Sequence, residues 1–383
     1  MNPRDLFLIV LKLFAAIFIL FLTLETCARL DDAIKYGAPL VGEYSYDRLQ
    51  SYDREGLRYN VPNARFEKWE NNGLGFRGPE VMQNRSSGSV RVVCMGSSES
   101  YGLFESPGRE WPAQLQEQLS TQKYEIVNAS LVGFNLTSYD AYLKKHVFDL
   151  KPDIIVLVIS PMMYVSMLEN AAAEKNSQSE AEGKSQYKKV SLTGKLLANI
   201  RILPKIKQVI KQSAMNNFPG MLKRYQIWNL QKQIEEIEHL RLKGRNPMDS
   251  VPDIYLYSFR DDLNRLVDSI RSQGIEVMLT NYPTLISHDN ITEYPEIFLD
   301  GRRFNIYLSL TGIVDSVIKF NNVIEHVAVE KKIMFFDASS FLPKSTDYFG
   351  DLFHYTDKGA QRFAEGVAAQ LRSKQFAMSA SVH

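Results

Sequence analysis

The chain is poor in cysteine and histidine. It contains 2 cysteines and 6 histidines among 383 residues. Two cysteines are too few for a disulfide scaffold, and Cys27 and Cys94 do not have the spacing of a metal finger. The histidines include no His-Glu-x-x-His pair of the kind that binds zinc in proteases. The sequence therefore offers no disulfide framework and neither of these two kinds of zinc site.

The chain also lacks an excess of either charge. Its 45 Lys and Arg residues face 44 Asp and Glu residues, which leaves a net charge of +1. An electrostatic nucleic-acid binder would show a basic excess, so we expect no nucleic-acid partner. With 21 Gly and 15 Pro, the chain is neither collagen-like nor proline-rich. Hydrophobic residues make up 45% and charged residues 23%, which is ordinary for a globular protein of one large or two small domains.

One long hydrophobic run is present near the N-terminus. Residues 6–24 (LFLIVLKLFAAIFILFLTL) carry a single charge, on Lys12. As a helix this run would reach about 28 Å, close to the thickness of a bilayer core. The residues that follow, Glu25 to Arg29, match the small-residue cleavage site of a signal peptide poorly. We predict a transmembrane anchor over residues 6–26; a cleaved signal peptide and a buried core helix are the alternatives.

The charges beside this run indicate its orientation weakly. The short N-terminal flank is basic, whereas the other flank carries more acidic residues than basic ones. The charged residues are Arg4, Lys12 and Asp5 on the first side and Glu25, Asp31, Asp32, Arg29 and Lys35 on the second. The positive-inside rule then places the N-terminus in the cytoplasm and the rest of the chain outside, with membrane lipid around the anchor.

Short apolar strands alternate with helical segments in the rest of the chain. Two of the strands are apolar throughout, which indicates a parallel sheet covered by helices on both faces. The predicted strands are residues 90–95, 124–128, 153–159, 275–280 and 333–337, and the predicted helices are 111–120, 137–148, 255–272, 303–330 (one helix or two) and 357–372. We therefore predict an α/β fold with a three-layer, doubly wound parallel sheet.

An insertion divides this pattern. Residues 169–189 are polar and low in complexity, which predicts a loop, and residues 190–245 have helical character with 11 Lys and Arg against 3 Asp and Glu. The helical part either packs on the main domain or forms a basic amphipathic surface on anionic lipid or a membrane partner. The predicted divisions are 1–5 (cytoplasmic tail), 6–26 (anchor), 27–85 (stalk and lead-in), 86–165 (first half of the domain), 166–250 (polar loop and basic helical insertion), 251–375 (second half) and 376–383 (tail).

Three loops carry residues suited to catalysis. The first, Gly96 to Gly102 (GSSESYG), follows a strand and presents hydroxyl groups, and the second, Asn128 to Asn135 (NASLVGFN), follows another strand and contains a glycine. The third contains Asp351 and His354 just before the closing helix, where a carboxylate could orient an imidazole. Because ligands bind beyond the carboxyl ends of parallel strands, we expect the loops to meet there. Each motif alone is weak, and the combination is the signal.

The combination resembles the SGNH (GDSL-type) hydrolases, and among them the membrane-anchored hydrolases and acyltransferases. The first family block, G-D-S-x-[ST], matches Gly96 to Ser100 with Ser97 in place of the aspartate, and the last block, D-x-x-H, matches Asp351 and His354. The resemblance implies Ser98 as nucleophile, His354 as base and Asp351 as its orienting carboxylate. It further implies an oxyanion hole formed by the N–H groups of Ser98 and Gly133, and no metal or organic cofactor.

One position departs from the family pattern. The third block supplies an asparagine that donates to the oxyanion, and Met162, which cannot donate a hydrogen bond, stands there. Asn135 and Asn281 are the candidate substitutes by loop position. Without a substitute the protein would have reduced activity, or would only bind glycan or scaffold a membrane acylation complex.

By this resemblance the expected activity is that of a serine esterase or O-acyltransferase. The anchor favours an envelope polysaccharide or a lipid-linked glycan as substrate, with acyl esters such as O-acetyl as the reacting group. Anchored members of the family often work beside a multispanning membrane O-acyltransferase, which is the partner that the resemblance implies.

Overall fold

The computed structural model describes residues 2–82, 88–119, 123–161, 164, 199–242 and 246–380. Its strands are β1 (Gln50–Tyr52), β2 (Arg58–Asn60), β3 (Arg65–Phe66), β4 (Trp69–Glu70), β5 (Val90–Met95), β6 (Tyr124–Asn128), β7 (Ile154–Val158), β8 (Glu276–Thr280) and β9 (Met334–Phe336). Its helices are α1 (Pro3–Tyr36), α2 (Ser98–Tyr101), α3 (Trp111–Gln118), α4 (Leu136–Tyr142), α5 (Ile202–Asn217), α6 (Pro219–Leu242), α7 (Asp253–Ser272), α8 (Pro295–Phe304), α9 (Leu310–Lys331), α10 (Ala338–Phe341) and α11 (Asp357–Ala380).

The central sheet has five parallel strands in the order β6-β5-β7-β8-β9. Its inner strands are buried on both faces, because β5 and β7 consist largely of β-branched and aliphatic residues. Helices α3 and α11 pack together in one layer, and α4, α7 and α9 form the other. The predicted three-layer α/β architecture is confirmed. The strand order reverses between β5 and β7, and such a switch point is where α/β sheets bind ligands.

The five predicted strands are confirmed to within about one residue at each end. The predicted helical stretch 303–330 is resolved into two helices, α8 and α9. The second begins at Ser309, whose side-chain oxygen accepts a hydrogen bond from the Gly312 N–H at 3.0 Å. This N-cap satisfies a backbone donor at the helix start and so favours a new helix there.

Helix α1 is the one helix in the described part of the chain that is long and apolar enough to cross a membrane. It begins after Asn2, whose side chain caps the first turn, and ends at Gly37, which adopts a left-handed conformation with φ 65°. It therefore continues ten residues past the predicted end of the anchor at residue 26.

The residues between α1 and the sheet pack onto the main domain. Two short antiparallel hairpins, β1-β2 and β3-β4, form here. The Asn60 side chain donates to the Ser130 carbonyl at 3.0 Å, and the Arg77 N–H donates to the Asn128 carbonyl at 3.1 Å. The lead-in thus reaches the carboxyl end of β6, beside one of the three motif loops.

Two helices, α5 and α6, occupy the described part of the predicted insertion. Helix α6 packs against α8, and Arg302 of α8 forms an ion pair with Glu238. The start of α5 contacts the C-terminal part of α1, at Glu25. The predicted polar loop, residues 169–189, lies outside the described residues.

Candidate active site

Ser98, His354 and Asp351 meet at the carboxyl edge of the sheet. The His354 Nε2 atom lies 2.7 Å from the Ser98 Oγ atom, although 256 positions separate the two residues in the chain. The other ring nitrogen, Nδ1, lies 2.7 Å from Asp351 Oδ2. The structure therefore brings together the three residues that the sequence predicts as a catalytic triad, in the order hydroxyl, imidazole and carboxylate.

The loop after β5 can present Ser98 only because Gly96 has no side chain. A Cβ atom at Gly96 would lie 2.2 Å from the Ser100 hydroxyl oxygen, closer than any real contact. Ser98 is the first residue of the short helix α2 and is partly exposed, whereas Ser97 and Ser100 are buried. Of the three serines in this motif, Ser98 is thus the one that a substrate can reach.

The loop before α11 holds the carboxylate and the imidazole in a fixed arrangement. Asp351 Oδ1 accepts hydrogen bonds from the backbone N–H groups of Phe353 and His354, each at 2.8 Å. Burial raises the pKa of Asp351, but the hydrogen bond from the His354 ring and the two backbone donors outweigh it and leave that pKa below its ordinary value. Asp351 is therefore ionised at neutral pH, and its charge favours the His354 tautomer with the proton on Nδ1. Nε2 is then free to accept the Ser98 proton.

An aromatic ring outside the predicted motifs supports the imidazole. The Phe104 ring stacks on the His354 ring, with centroids 4.6 Å apart and planes inclined by 16°. Gly350 gives Phe104 room, because a Cβ there would lie 2.6 Å from the Phe104 ring. The sequence analysis missed this residue, since a single Phe in a loop carries no motif signal.

Gly133 presents its backbone N–H beside the nucleophile. This N–H donates to the Ser97 Oγ atom at 3.1 Å, and Gly133 has a φ of +73°, which a residue with a side chain adopts rarely. Within the described part of the chain the Ser98 N–H has no hydrogen-bond partner. The family resemblance implies both N–H groups for the oxyanion hole. The Gly133 N–H is engaged with Ser97 Oγ in this structure and would have to leave that hydroxyl to bind an oxyanion.

Arg58, from the β1-β2 hairpin, holds the Gly133 loop. Its Nη1 atom donates to the carbonyls of Val132 and Gly133 at 3.1 and 3.4 Å, and its Nη2 atom donates to the Tyr52 hydroxyl at 2.5 Å. A Cβ atom at Gly133 would lie 2.4 Å from Arg58 Nη1, so a side chain there would displace the guanidinium group. The lead-in thereby supports the loop that carries Gly133, a role that the lead-in sequence does not reveal.

The two asparagines considered as substitute donors are engaged elsewhere. The Asn281 amide nitrogen donates to Asp337 and Ser339 at 2.6 and 3.0 Å, and its oxygen accepts from the Ser339 N–H. Asn281 has no donor left, and the suggestion that it completes the oxyanion hole is wrong for this structure. The Asn135 oxygen caps α4 by accepting from Ser138, which leaves the amide nitrogen of Asn135 uncommitted to the cap. Met162 lies outside the described residues.

A buried carboxyl group lies directly beneath the nucleophile loop. Glu99 is 1% exposed, and its Oε1 atom accepts a hydrogen bond from the Ser97 N–H at 2.7 Å. Its Oε2 atom lies 3.5 Å from the Tyr282 hydroxyl of the loop after β8. Burial raises the pKa of Glu99, because the charged form loses its hydration. Glu99 thus connects the nucleophile loop, through the Ser97 N–H, to the loop after β8, through the Tyr282 hydroxyl.

A cleft of about 490 Å³ opens beside the triad. On one side it is lined by Phe104, Gly350 and Asp351, and on the other by α5 and α6, including Lys211 and Asn229. Its size is in the range of small-molecule sites. The insertion therefore forms one wall of a cleft that reaches Asp351 of the triad, whereas Ser98 and His354 are not among the lining residues.

No family model and no curated relative matches the chain. Among solved structures, it is similar to a catalytic mutant of an acetylxylan esterase from Geobacillus stearothermophilus, with 11% identity and a TM-score of 0.38 over 76% of this chain and 96% of that one. It is also similar to a lipase/acylhydrolase from Enterococcus faecalis, with 12% identity and a TM-score of 0.40 over 74% and 96% of the two chains.

Proposed function

We propose that this protein is a serine esterase or O-acyltransferase of the SGNH type, held at a membrane by α1. The observation that carries the proposal is the hydrogen-bonded series from Ser98 through His354 to Asp351, with distances of 2.7 Å at both steps. A hydroxyl, a base and an orienting carboxylate in that geometry are the elements of nucleophilic acyl transfer. We assign the oxyanion to the backbone N–H groups of Ser98 and Gly133, the second of which would exchange its bond to Ser97 Oγ for one to the oxyanion.

In the first step, Ser98 Oγ attacks the carbonyl carbon of an ester while His354 Nε2 takes the hydroxyl proton. Asp351 stabilises the imidazolium that results, and the N–H groups of Ser98 and Gly133 stabilise the negative oxygen of the tetrahedral intermediate. The intermediate collapses to an acyl-enzyme as His354 returns the proton to the leaving alcohol. Attack by water on the acyl-enzyme gives an esterase, whereas attack by a sugar hydroxyl gives an O-acyltransferase.

The substrate class follows from the position of the anchor. With α1 across a bilayer, the cleft stays within tens of ångströms of the lipid surface, which suits O-acyl groups on an envelope polysaccharide or on a lipid-linked glycan. The orientation with the N-terminus in the cytoplasm rests on the flanking charges. A multispanning membrane O-acyltransferase is the proposed partner, and it would supply or receive the acyl group.

A fluorophosphonate probe tests the proposal on the detergent-solubilised chain. We expect covalent labelling that Ser98→Ala abolishes. Ser97→Ala should still label, because the Ser97 hydroxyl is buried and bonds with Gly133 rather than with His354. Absence of labelling in the native chain would overturn the catalytic proposal and favour the second candidate, a protein that only binds glycan or scaffolds an acylation complex, for which Met162 is the motivating observation.

Incubation with an acetyl ester then separates the two enzymatic outcomes. Release of acetate in the presence and absence of a sugar acceptor measures hydrolysis, and acetylated acceptor measures transfer. If acetate release is equal with and without the acceptor, and no acetylated acceptor forms, the protein acts as an esterase and transfer to that acceptor is excluded.

A further inference from the structure

Helix α5 exposes an apolar stripe that nothing in the described part of the chain covers. The stripe consists of Leu203, Ile206, Val209 and Ile210. Their spacings of three and four residues place them on one side of the helix. Their exposed fractions are 43%, 41%, 68% and 62%, respectively. No residue of the 16-residue helix is buried. A helix of this length is marginal in water unless a second surface covers its apolar face.

The start of α5 is joined to α1 where the apolar span ends. The Glu25 carboxylate accepts hydrogen bonds from the backbone N–H groups of Arg201 and Ile202, at 3.2 and 3.0 Å. Arg29, one turn further along α1, donates to the Asn199 carbonyl at 2.7 Å. Because Glu25 directly follows the apolar residues 6–24, these contacts hold the first turn of α5 at the level where α1 leaves the bilayer.

Two polar contacts fix which way the stripe faces. Lys205 forms ion pairs with Asp31 and Asp32, on the part of α1 that extends away from the apolar span, at 2.6 and 2.8 Å. Lys211 lines the cleft beside the triad. At about 100° per residue, Ile206 lies roughly 100° from Lys205 and roughly 140° from Lys211 around the helix axis. Ile206 lies at the middle of the stripe, so the middle is turned away from both α1 beyond the bilayer and the cleft, and Val209 at one edge lies about 40° from Lys205.

We propose that α5 lies on the same lipid surface that α1 crosses, with Leu203, Ile206, Val209 and Ile210 in the acyl-chain boundary. The exposed Lys207 flanks the stripe at headgroup level, as in interfacial amphipathic helices, and favours anionic lipid. The opposite side of the helix then forms the wall of the cleft. This inference rests on the membrane anchor of the proposed function, and it adds that the cleft opens at a fixed height above the headgroups.

The test places a fluorophore on each side of α5 in the full chain reconstituted into liposomes. The native Cys27 is exposed and Cys94 is buried, so in Cys27→Ser the folded chain offers no reactive thiol among the described residues. On that background, Ile210→Cys carries the label on the stripe, and Gln208→Cys carries it on the far side as the matched control. A separate sample of the native chain, labelled at Cys27, reports on the insertion of α1.

The readout is quenching by lipids that bear a nitroxide near the headgroup, in phosphatidylcholine vesicles with and without phosphatidylglycerol. We expect the label at Ile210→Cys to be quenched at least about twofold more than the label at Gln208→Cys, with a larger difference in the anionic vesicles. Lys207→Glu should reduce that difference in the anionic vesicles only.

Equal weak quenching at both α5 positions, with Cys27 quenched, would overturn the docking and leave the anchor and the triad intact. If the fluorescence emission of the label at Ile210→Cys is shifted to the blue but is not quenched, the docking on lipid is overturned. The stripe would then be covered by protein, either another segment of this chain or a second protein. Absence of quenching at Cys27 as well would overturn the docking together with the anchor, whereas fluorophosphonate labelling of Ser98 would be unaffected.

Discussion

The Phe104 ring lies nearly parallel to the His354 imidazole, with ring centroids 4.6 Å apart. The imidazole is thus held by stacking on one face and by Asp351 at its edge. A histidine that must take a proton from Ser98 and return it to a leaving group needs a fixed orientation, because small displacements of reacting groups slow catalysis strongly.

Replacing this ring should slow the chemistry without unfolding the protein. We expect Phe104→Ala to lower kcat by on the order of 10- to 100-fold, since the imidazole loses the surface against which it is aligned. Phe104→Tyr keeps the stacked ring and is the matched control, with kcat close to that of the native chain. Steady-state hydrolysis of a chromogenic acetyl ester measures both; an unchanged kcat in Phe104→Ala would show that Asp351 alone orients His354.

Asp351→Asn should nearly abolish turnover while preserving the fold. The amide would fit the same space but would not favour the tautomer with the proton on Nδ1, and such a change typically costs on the order of 10⁴-fold in kcat. In His354→Ala, and in the double variant with both Asp351→Asn and His354→Ala, kcat should be at most about tenfold lower than in Asp351→Asn alone. The effects of substituting residues that act as a unit do not add. Single-turnover acylation kinetics measure the loss. Full activity in Asp351→Asn would contradict the triad.

Arg58 is expected to act as a positioning residue through the Gly133 loop. Arg58→Ala removes both hydrogen bonds to that loop and should lower kcat by on the order of 10- to 100-fold, less than the loss of the oxyanion donor itself typically costs. KM should change little, since Arg58 is not among the residues that line the cleft. Arg54→Ala, an exposed arginine on the same hairpin, is the control. A rise in KM with unchanged kcat would assign Arg58 to substrate binding instead.

Glu99 predicts a specific dependence of stability on pH. Because burial raises the pKa of Glu99 in the folded state, the folded chain binds this proton more tightly than the unfolded chain does. The stabilising contribution of Glu99 to the free energy of unfolding is therefore fully present below the pKa of the unfolded chain, about 4.3. This contribution declines as the pH rises toward the pKa of Glu99 in the folded chain.

Glu99→Gln keeps the shape of the side chain and removes the titration. The variant should gain free energy of unfolding relative to the native chain as the pH rises from about 4 to neutral, which urea denaturation in detergent micelles can measure. Glu236→Gln, at an exposed position of α6, provides a comparison for general charge effects. A difference between Glu99→Gln and the native chain that does not vary with pH would mean that the pKa of Glu99 is the same in the folded and unfolded chains.

The sequence predicted the elements whose signal is local. The strands at 90–95 and 153–159 could be predicted as buried, because a strand covered on both faces does not alternate polar and apolar residues. The run 6–24 could be predicted as a membrane-spanning helix, because its apolar residues extend over the thickness of a bilayer. The motif loops could be found because each joins a small-residue turn to a chemically active side chain. The choice of Asn281 as an oxyanion donor was wrong, because loop position alone does not show that Asp337 and Ser339 bind its amide.

Periodicity and motif spacing are properties of neighbouring residues, and they determined the layers of this protein, its apolar N-terminal helix and the three loops at the sheet edge. Only the tertiary structure decided that Arg58 supports the Gly133 loop, that Phe104 stacks on His354, and that the first turn of α5 binds Glu25 of α1. Each of these contacts joins segments separated by tens to hundreds of residues. Such contacts depend on how whole elements pack, and no short stretch of sequence carries that information.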